Sequence, residues 1–173
     1  MKYLKTIILA IFLLNLYNFA SASEVYFVDM KKILNESKAG KGAHDYLKKN
    51  IESTNKKLEK EASALKKEET DLIAKKKILS SEDYKKNLNA LRKKSIDHQK
   101  KRREASNQWV KKKNQARAKL IQAVNPILQK YMTDNKIEIV IDKKDILLAN
   151  SNFELTDKIL ELLDKEIKSI NLN

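Results

Sequence analysis

The sequence predicts a mostly helical α+β protein, in which a long antiparallel helical hairpin projects from a small β-sheet base. The chain has 173 residues but only two glycines and one proline, and so few turn formers disfavour a β-sandwich or a doubly wound α/β domain. Apolar side chains recur every seventh residue in the middle of the chain, which is typical of a coiled-coil arm. Short β-branched runs near both chain ends indicate the strands of the base.

Residues 1–22 are predicted to be a secretory signal peptide. Lys2 and Lys5 supply a positive start, an apolar stretch covers 7–16, and Ala20-Ser21-Ala22 is a small-residue cleavage site. The alternative is a membrane anchor that is kept, but the apolar run is shorter than the roughly 20 residues that a span needs. We therefore expect cleavage after Ala22 and export of the mature chain.

Residues 23–43 are predicted to form the N-terminal part of the base. The run Val25-Tyr26-Phe27-Val28-Asp29-Met30 is rich in β-branched and aromatic residues, which predicts a strand over about 25–30. A loop or short helix follows through Ser37. The only two glycines, in Gly40-Lys41-Gly42, are expected to mark the start of the first long helix.

Residues 44–118 are predicted to form the hairpin arm. From His44 to Leu79 no helix breaker occurs, and one seam position is apolar at every seventh residue: Ile51, Leu58, Leu65, Leu72 and Leu79. We predict a turn near 80–81 with Ser81 as the N-cap of a second long helix. Two long helices joined by so short a turn must be antiparallel neighbours.

Residues 119–173 are predicted to complete the base. The second helix continues past Pro126, which should kink it near Asn125. Two strands are expected over about 137–142 and 146–150. An amphipathic C-terminal helix follows, capped by Thr156 or Asn152.

The strands at the two chain ends should meet in one sheet, because a single strand has no partner and a lone hairpin is marginal. A base of about 70 residues is too small to build a large core of its own, so we expect it to self-associate. The chain has no cysteine that could staple it. The association is predicted to depend on six apolar residues of the strands: Val25, Phe27, Ile139, Ile141, Ile146 and Leu148.

Nothing in the sequence indicates an enzyme, a metal site or a bound cofactor. Cysteine ligands are absent, and His44 and His98 are far apart with no ligand partner at helical spacing. The Gly40-Lys41-Gly42 segment has neither the length nor the Ser/Thr of a phosphate-binding loop. Acidic pairs such as Glu68-Glu69 lie on predicted exposed helix, where no shift of a carboxyl pKa toward catalysis is expected.

The formal net charge of +14 is concentrated on the second helix of the arm. Residues 81–118 carry thirteen basic and four acidic side chains, whereas residues 51–80 carry eight and six. A face that serves only solubility would mix the two signs, so this bias favours a partner with negative potential. The predicted binding residues are Lys85, Lys86, Arg92, Lys93, Lys94, Lys100, Lys101, Arg102, Arg103, Lys111, Lys112, Lys113 and Arg117.

Three classes of partner fit a basic helix to different degrees. Nucleic acid is disfavoured because the chain is predicted to be exported and no aromatic residues interleave the basic run to stack on bases. Anionic lipid headgroups are compatible with the charge, but the helix lacks a Trp/Phe/Leu-rich face to insert. Acidic polypeptide fits every observation. Trp109 is interpreted as a packing anchor on the seam and not as a ligand site.

Several motifs resemble the Skp (OmpH-like) family of periplasmic chaperones. The first is Val28-Asp29-Met30-Lys31-Lys32-Ile33-Leu34, followed by Ser37-Lys38-Ala39-Gly40-Lys41. The second is Ile139-Val140-Ile141-Asp142, followed by Ala149-Asn150-Ser151 and Leu155-Thr156. Their order and spacing, with the signal peptide and the basic helices, extend the resemblance over the whole mature chain.

The resemblance implies a homotrimer in which sheet segments of three chains form a central body and three helical hairpins enclose a cavity. It also implies an ATP-independent holdase, which keeps unfolded outer-membrane proteins from aggregating on their way to the outer membrane. Binding of lipopolysaccharide stays open. The alternative is a structural coiled-coil protein of the envelope, a spacer without chaperone activity.

Overall fold

The computed structural model describes residues 24–172, so the predicted signal peptide lies outside the described residues. The elements in chain order are β1 (Val25–Val28), α1 (Met30–Glu36), α2 (Lys38–Ala74), α3 (Ser81–Asp134), β2 (Ile139–Asp142) and α4 (Thr156–Glu166). Short 3₁₀ turns cover Lys75–Lys77, Lys143–Asp145 and Ser151–Phe153. Helices hold 79% of the described residues, which confirms the mostly helical prediction.

The two chain ends meet in a parallel two-stranded sheet, as the sequence predicted. In its register Val25 pairs with Ile139 and Val28 with Asp142. β1 ends at Val28, two residues earlier than expected. The reason is Asp29, whose Oδ1 accepts a hydrogen bond from the Lys32 backbone N–H at 2.8 Å and so caps α1. β2 likewise begins at Ile139, two residues later than expected.

The predicted third strand over 146–150 is wrong. This segment is irregular, and the side chains of Leu147 and Leu148 are almost fully exposed. The free edge of β1 is occupied by a later segment: Glu154 forms a parallel bridge with Phe27, and the Leu155 N–H donates to the Phe27 carbonyl at 2.8 Å. The 146–150 run joins neither edge of the two-stranded sheet.

A tight corner joins α1 to α2. Ser37 is the N-cap of α2, and its Oγ accepts a hydrogen bond from the Gly40 N–H at 3.0 Å. The first long helix therefore begins at Lys38, ahead of both the glycines and His44. A Cβ at position 40 would lie 2.0 Å from the Leu34 carbonyl oxygen, so glycine is required there by the close approach of α1.

The arm consists of α2 and α3, with 37 and 54 residues. At about 1.5 Å per residue, α3 is roughly 80 Å long. The linking turn covers 75–80, and the N-cap of α3 is Ser80 instead of Ser81, because the Ser80 Oγ accepts from the Asp83 N–H at 3.0 Å. Pro126 lies inside α3, and the helix continues without a break to Asp134.

α3 ends in a left-handed cap. Lys136 has a φ of 56°, the Ile137 N–H donates to the Met132 carbonyl at 2.9 Å, and the Lys136 N–H donates to the Thr133 carbonyl at 3.3 Å. These two bonds define a Schellman motif, which satisfies carbonyls that the helix end leaves open. The cap returns the chain to β2 within a few residues.

The hydrophobic core lies in the base and draws on both chain ends and on the roots of the two arm helices. Its buried members are Val28, Ile33, Leu34, Ala39, Ala43, Leu120, Val124, Ile127, Leu155, Ile159 and Leu163. Thr156 is buried too, but it does not cap α4, whose N-cap is Leu155. Its Oγ1 accepts from the Asp29 N–H at 2.8 Å and donates to Glu154 at 2.9 Å, so it joins the ends of β1 and α4.

The arm has no buried core of its own. Of residues 48–115, none is buried in the protomer. The seam residues predicted from the seven-residue repeat, Ile51 through Leu79, are half-buried. A row of residues on α3, from Tyr84 through Trp109 at spacings of three and four, is half-buried as well, except for the exposed Arg102. The hairpin is therefore a thin two-helix structure that leaves most of its surface to solvent.

Candidate functional site

The thirteen predicted basic residues all lie on α3, between Lys85 and Arg117. The structure does not gather them into one pocket. It distributes them around a helix whose inner side packs against α2. They therefore differ in what they contact, and three groups can be separated by their neighbours.

The first group is engaged in ion pairs across the hairpin. Lys94 Nζ lies 2.7 Å from Glu68 Oε2, and Lys101 Nζ lies 3.0 Å from Glu61 Oε2. Because the partner of the later residue comes earlier on α2, these pairs also confirm that the helices are antiparallel. The groove beside them is lined by Glu61, Ala64, Leu65, Glu68, Lys94, Asp97, His98, Lys100, Lys101 and Glu104. We call this side the paired face.

Glu61 is the centre of the paired face. The hydrogen bond from Lys101 is the main reason that the pKa of the Glu61 carboxyl lies below its ordinary value, and His98 adds to the effect while partial burial opposes it. His98 Nδ1 lies 3.5 Å from Glu61 Oε2 and is shielded from solvent. His98 therefore belongs to the interface between the arm helices, and His44 is exposed on α2.

The second group surrounds the root of the arm. Lys113 Nζ lies 5.8 Å above the ring of Trp109, within cation–π range. Lys112 lines a small cavity between the helices together with Trp109, Leu47 and Ile51. Trp109 is half-buried on the seam, which agrees with its interpretation as a packing anchor.

The third group has no acidic partner across the hairpin among the described residues: Lys85, Lys86, Arg92, Lys93, Lys100, Arg102, Arg103, Lys111 and Arg117. Lys100 makes one long contact, 3.9 Å, to Glu104 on its own helix. All nine side chains lie in exposed positions. Exposed, unpaired cations are the ones free to bind an external anionic group.

The residues predicted for association divide into two sets. Val25, Phe27, Ile139 and Ile141 share one face of the sheet, because paired residues of parallel strands point to the same side. Val25, Ile139 and Ile141 remain 44%, 44% and 39% exposed, whereas Phe27 is buried. The opposite face carries Val28 and Val140 into the core.

The second set comes from the segment that is not a strand. Ile146 is half-buried and Leu148 is 92% exposed. Leu147, which the sequence interpretation left out, is fully exposed. A strand would have turned alternate side chains of this segment toward the interior. The irregular segment instead leaves both leucines exposed. The base therefore exposes apolar side chains both on one face of its sheet and in the segment after β2, and so many exposed large apolar residues are unusual on a small monomer.

Within residues 24–172, no group of three or more His, Asp or Glu side chains is arranged to hold a metal ion. In the same part of the chain, no helix is both long and apolar enough to cross a bilayer. The described surface thus offers exposed cations and exposed apolar residues, which suit an extended partner better than a small ligand.

Comparison with known protein families shows which family the chain belongs to. Residues 24–163 match the family described as outer membrane protein (OmpH-like). The chain belongs to the OmpH-like family. This confirms the resemblance found in the sequence motifs, and the match begins at the first described residue and ends inside α4.

Comparison with solved structures shows the same fold. A crystal structure from Caulobacter crescentus CB15, of a candidate outer membrane chaperone (OmpH-like), superimposes with a TM-score of 0.81. The two sequences are 24% identical, and the similarity covers 85% of this chain and 87% of the other. The OmpH-like architecture therefore extends over nearly the whole chain. No curated protein matches the sequence.

Proposed function

We propose that this OmpH-like protein is a periplasmic, ATP-independent holdase that binds unfolded outer-membrane proteins and prevents their aggregation. The observation that carries the proposal is the arm: a long, thin hairpin with no buried residue between 48 and 115, in which eleven of the thirteen exposed basic residues of 81–118 have no acidic partner across the hairpin among the described residues. Such a surface makes many weak contacts with an extended chain and has no pocket that selects one small molecule. The family and its chaperone-like neighbour support the same reading.

Electrostatic attraction would speed the capture of acidic segments, and this effect falls as salt rises. Large apolar patches are sparse on the arm, which agrees with the need to release clients and to avoid self-aggregation. Anionic lipid or lipopolysaccharide would use the same cations, so both are competitors to include in binding experiments. The predicted signal peptide, 1–22, supports the periplasmic location.

The direct test is light scattering. An outer-membrane β-barrel protein is diluted from urea with and without the mature chain, at stoichiometric and excess ratios and without nucleotide. We expect scattering to be suppressed in proportion to the chaperone added. A structural spacer with the same hairpin would leave the aggregation unchanged, and that result would favour the alternative function.

We propose further that the protein is a homotrimer assembled through the base. The exposed face with Val25, Ile139 and Ile141 supports an association surface, and the exposed side chains of Leu147 and Leu148 add apolar area to the base. Ile139→Lys, which introduces a charge on this face, should abolish association because burial of an unpaired charge is costly. Sedimentation measures the outcome, and Ser169→Lys, which adds the same charge at an exposed residue outside the sheet, is the control. An Ile139→Lys protein that remains trimeric would contradict this surface.

A further inference from the structure

The two sides of the arm differ in chemistry. Between α2 and α3 a groove runs along each side of the hairpin, and one of them is the paired face. The opposite groove is lined by Ala62, Leu65, Lys66, Glu69, Leu72, Ile73, Tyr84, Leu88, Leu91, Arg92, Ser95, Ile96, His98, Gln99 and Arg102. We call this side the open face.

The open face has an apolar floor with exposed apolar rims. The floor is made by half-buried leucines such as Leu72 and Leu88. Ile73 on α2 and Ile96 on α3 flank it and stay 60% and 63% exposed. On the paired face the lining residues are charged, apart from Ala64, Leu65 and His98. Only the open face therefore offers an apolar strip to a partner.

The charges follow the same division. The open face has three cationic side chains, Lys66, Arg92 and Arg102, and one acidic side chain, Glu69. Among the described residues none of the three cations is in an ion pair. The paired face has four acidic and three basic side chains, and the ion pairs that join the two helices all lie there. The free positive potential of this stretch is thus on the open face.

The same side continues toward the base. Arg102 and Ala62 also line the next stretch of groove, with Asn55 and Leu58. Steps of three or four residues then carry this side of α3 from Gln99 through Arg103 and Ser106 to Val110. Val110 is 58% exposed. It lines a groove in the base together with Arg117.

We propose that the open face is the client-binding surface of the arm, and that it holds extended segments in which apolar side chains alternate with acidic ones. This inference rests on the proposed holdase function. In an extended strand successive side chains point to opposite faces. The apolar side chains of one face can therefore contact the Ile73–Ile96 strip, while the acidic side chains of the other face reach the arginines that line the groove. A guanidinium binds a carboxylate through two parallel hydrogen bonds, whereas Lys94 and Lys101 on the paired face are lysines that already contact glutamates.

Matched variants separate the two faces. Arg92→Gln with Arg102→Gln removes two charges from the open face, and Lys94→Gln with Lys101→Gln removes two from the paired face a few residues away. Both lower the net charge equally, so both should slow association with an unfolded outer-membrane protein at low salt by a similar factor. The dissociation rate should rise about tenfold in the open-face variant and less than twofold in the paired-face variant, because contacts govern dissociation.

A second pair tests the apolar strip. Ile96→Asp replaces an exposed apolar residue of the open face, whereas Ala90→Asp introduces the same charge on the paired side of α3, in the row that contains Lys94 and Lys101. Both positions are exposed, so neither change should disturb the fold, and circular dichroism with thermal melting checks this. We expect Ile96→Asp to raise the dissociation rate at least fivefold and Ala90→Asp to change it less than twofold.

The results of these experiments distinguish a failure of the open-face inference from a failure of the proposed function. If the wild-type chain neither binds nor protects the unfolded protein, the holdase proposal fails. If the wild-type chain protects but the variants of both faces dissociate at the same rate, the holdase proposal stands and the open face is overturned. A change of oligomer size in the Arg92→Gln and Arg102→Gln variant would assign the face to a second copy of the chain, and would also overturn it.

Discussion

The base and the arm of this protein differ in how much apolar surface they bury. In the base, residues from both chain ends and from the helix roots bury a shared core, with Ile33, Ile159 and Leu163 fully removed from solvent. In the arm, two helices pack along a seam whose residues are at most half-buried. Hydrophobic burial scales with area removed from water, so the free energy of unfolding must come chiefly from the base.

This difference explains how one chain can be folded and yet present a long surface to a partner. The arm forms because its helices have few breakers and because the base fixes their roots side by side. It stays open because its seam is thin and its flanks are charged. A thicker core would stabilise the arm but would cover the apolar strip and the arginines that we assign to the client.

The largest expected effect is the difference between the same truncation, leucine to alanine, in the base and in the arm. Leu163→Ala in the base should destabilise the protein by about 4 kcal/mol, because a fully buried leucine leaves a cavity. Leu88→Ala in the arm should cost about 1 kcal/mol, since that side chain is half-buried and solvent can fill its place. Urea unfolding followed by circular dichroism measures both. Equal losses would show that the arm contributes to stability as the base does.

The two glycines provide the next contrast. Gly40→Ala should destabilise the base by about 3 kcal/mol, because the new Cβ would lie 2.0 Å from the Leu34 carbonyl oxygen, and backbone atoms of α1 would have to move. Gly42→Ala meets no atom within 4 Å and should stabilise α2 by about 0.5–1 kcal/mol. Thermal melting of the two variants measures whether these substitutions, two residues apart, change stability in opposite directions. A neutral Gly40→Ala would contradict the close approach of α1 and α2.

The arm was more predictable from sequence than the base. A seven-residue repeat of Leu and Ile is a local signal, and it gave the hairpin and its seam. The joining of the strands at both chain ends was also predicted, since neither could be stable alone. The paired and open faces could have been anticipated only by placing α2 against α3, because Glu61 and Lys101 are forty residues apart.

The errors lie where tertiary contacts overrode a local pattern. The run from Ile146 to Asn150 has the composition of a strand but pairs with neither strand, and the segment that bridges β1 is the later one at Glu154. Ser81 and Thr156 are good caps by residue type, yet Ser80 and Leu155 occupy those positions. Each choice depends on where the preceding segment enters the helix, and no local rule fixes that direction.

A smaller effect distinguishes the paired face from the rest of the arm by its pH dependence. The pKa of Glu61 is lowered in the folded protein, first by Lys101 and then by His98. A lowered carboxyl pKa contributes stability that is fully present above the pKa of the unfolded chain and is lost as the pH falls through the folded pKa. Glu61→Gln should therefore lower the melting temperature at pH 7 by a degree or two, and by less at pH 3.

The control for that experiment is Glu69→Gln, on the open face, where the carboxylate makes no ion pair among the described residues. Its melting temperature should match the wild type at both pH values. If Glu61→Gln and Glu69→Gln behaved alike at pH 7, the ion pairs would not distinguish the stability of the two faces, and their role would be limited to occupying Lys94 and Lys101.

The smallest expected effect concerns the cap that joins the arm to the base. Lys136 adopts a φ of 56°, a left-handed conformation that costs a residue with a Cβ about 1 kcal/mol. Lys136→Gly should remove that strain but should also make the unfolded chain more flexible, so a net gain of about 0.5 kcal/mol is expected. Lys130→Gly, inside α3, makes the same replacement in a right-handed helical conformation and should cost about 1 kcal/mol, beyond any loss of its contact with Asp134. Denaturant unfolding measures whether the two substitutions change the free energy of unfolding in opposite directions. A loss of stability in Lys136→Gly would mean that the lysine side chain contributes more at this junction than its backbone strain costs.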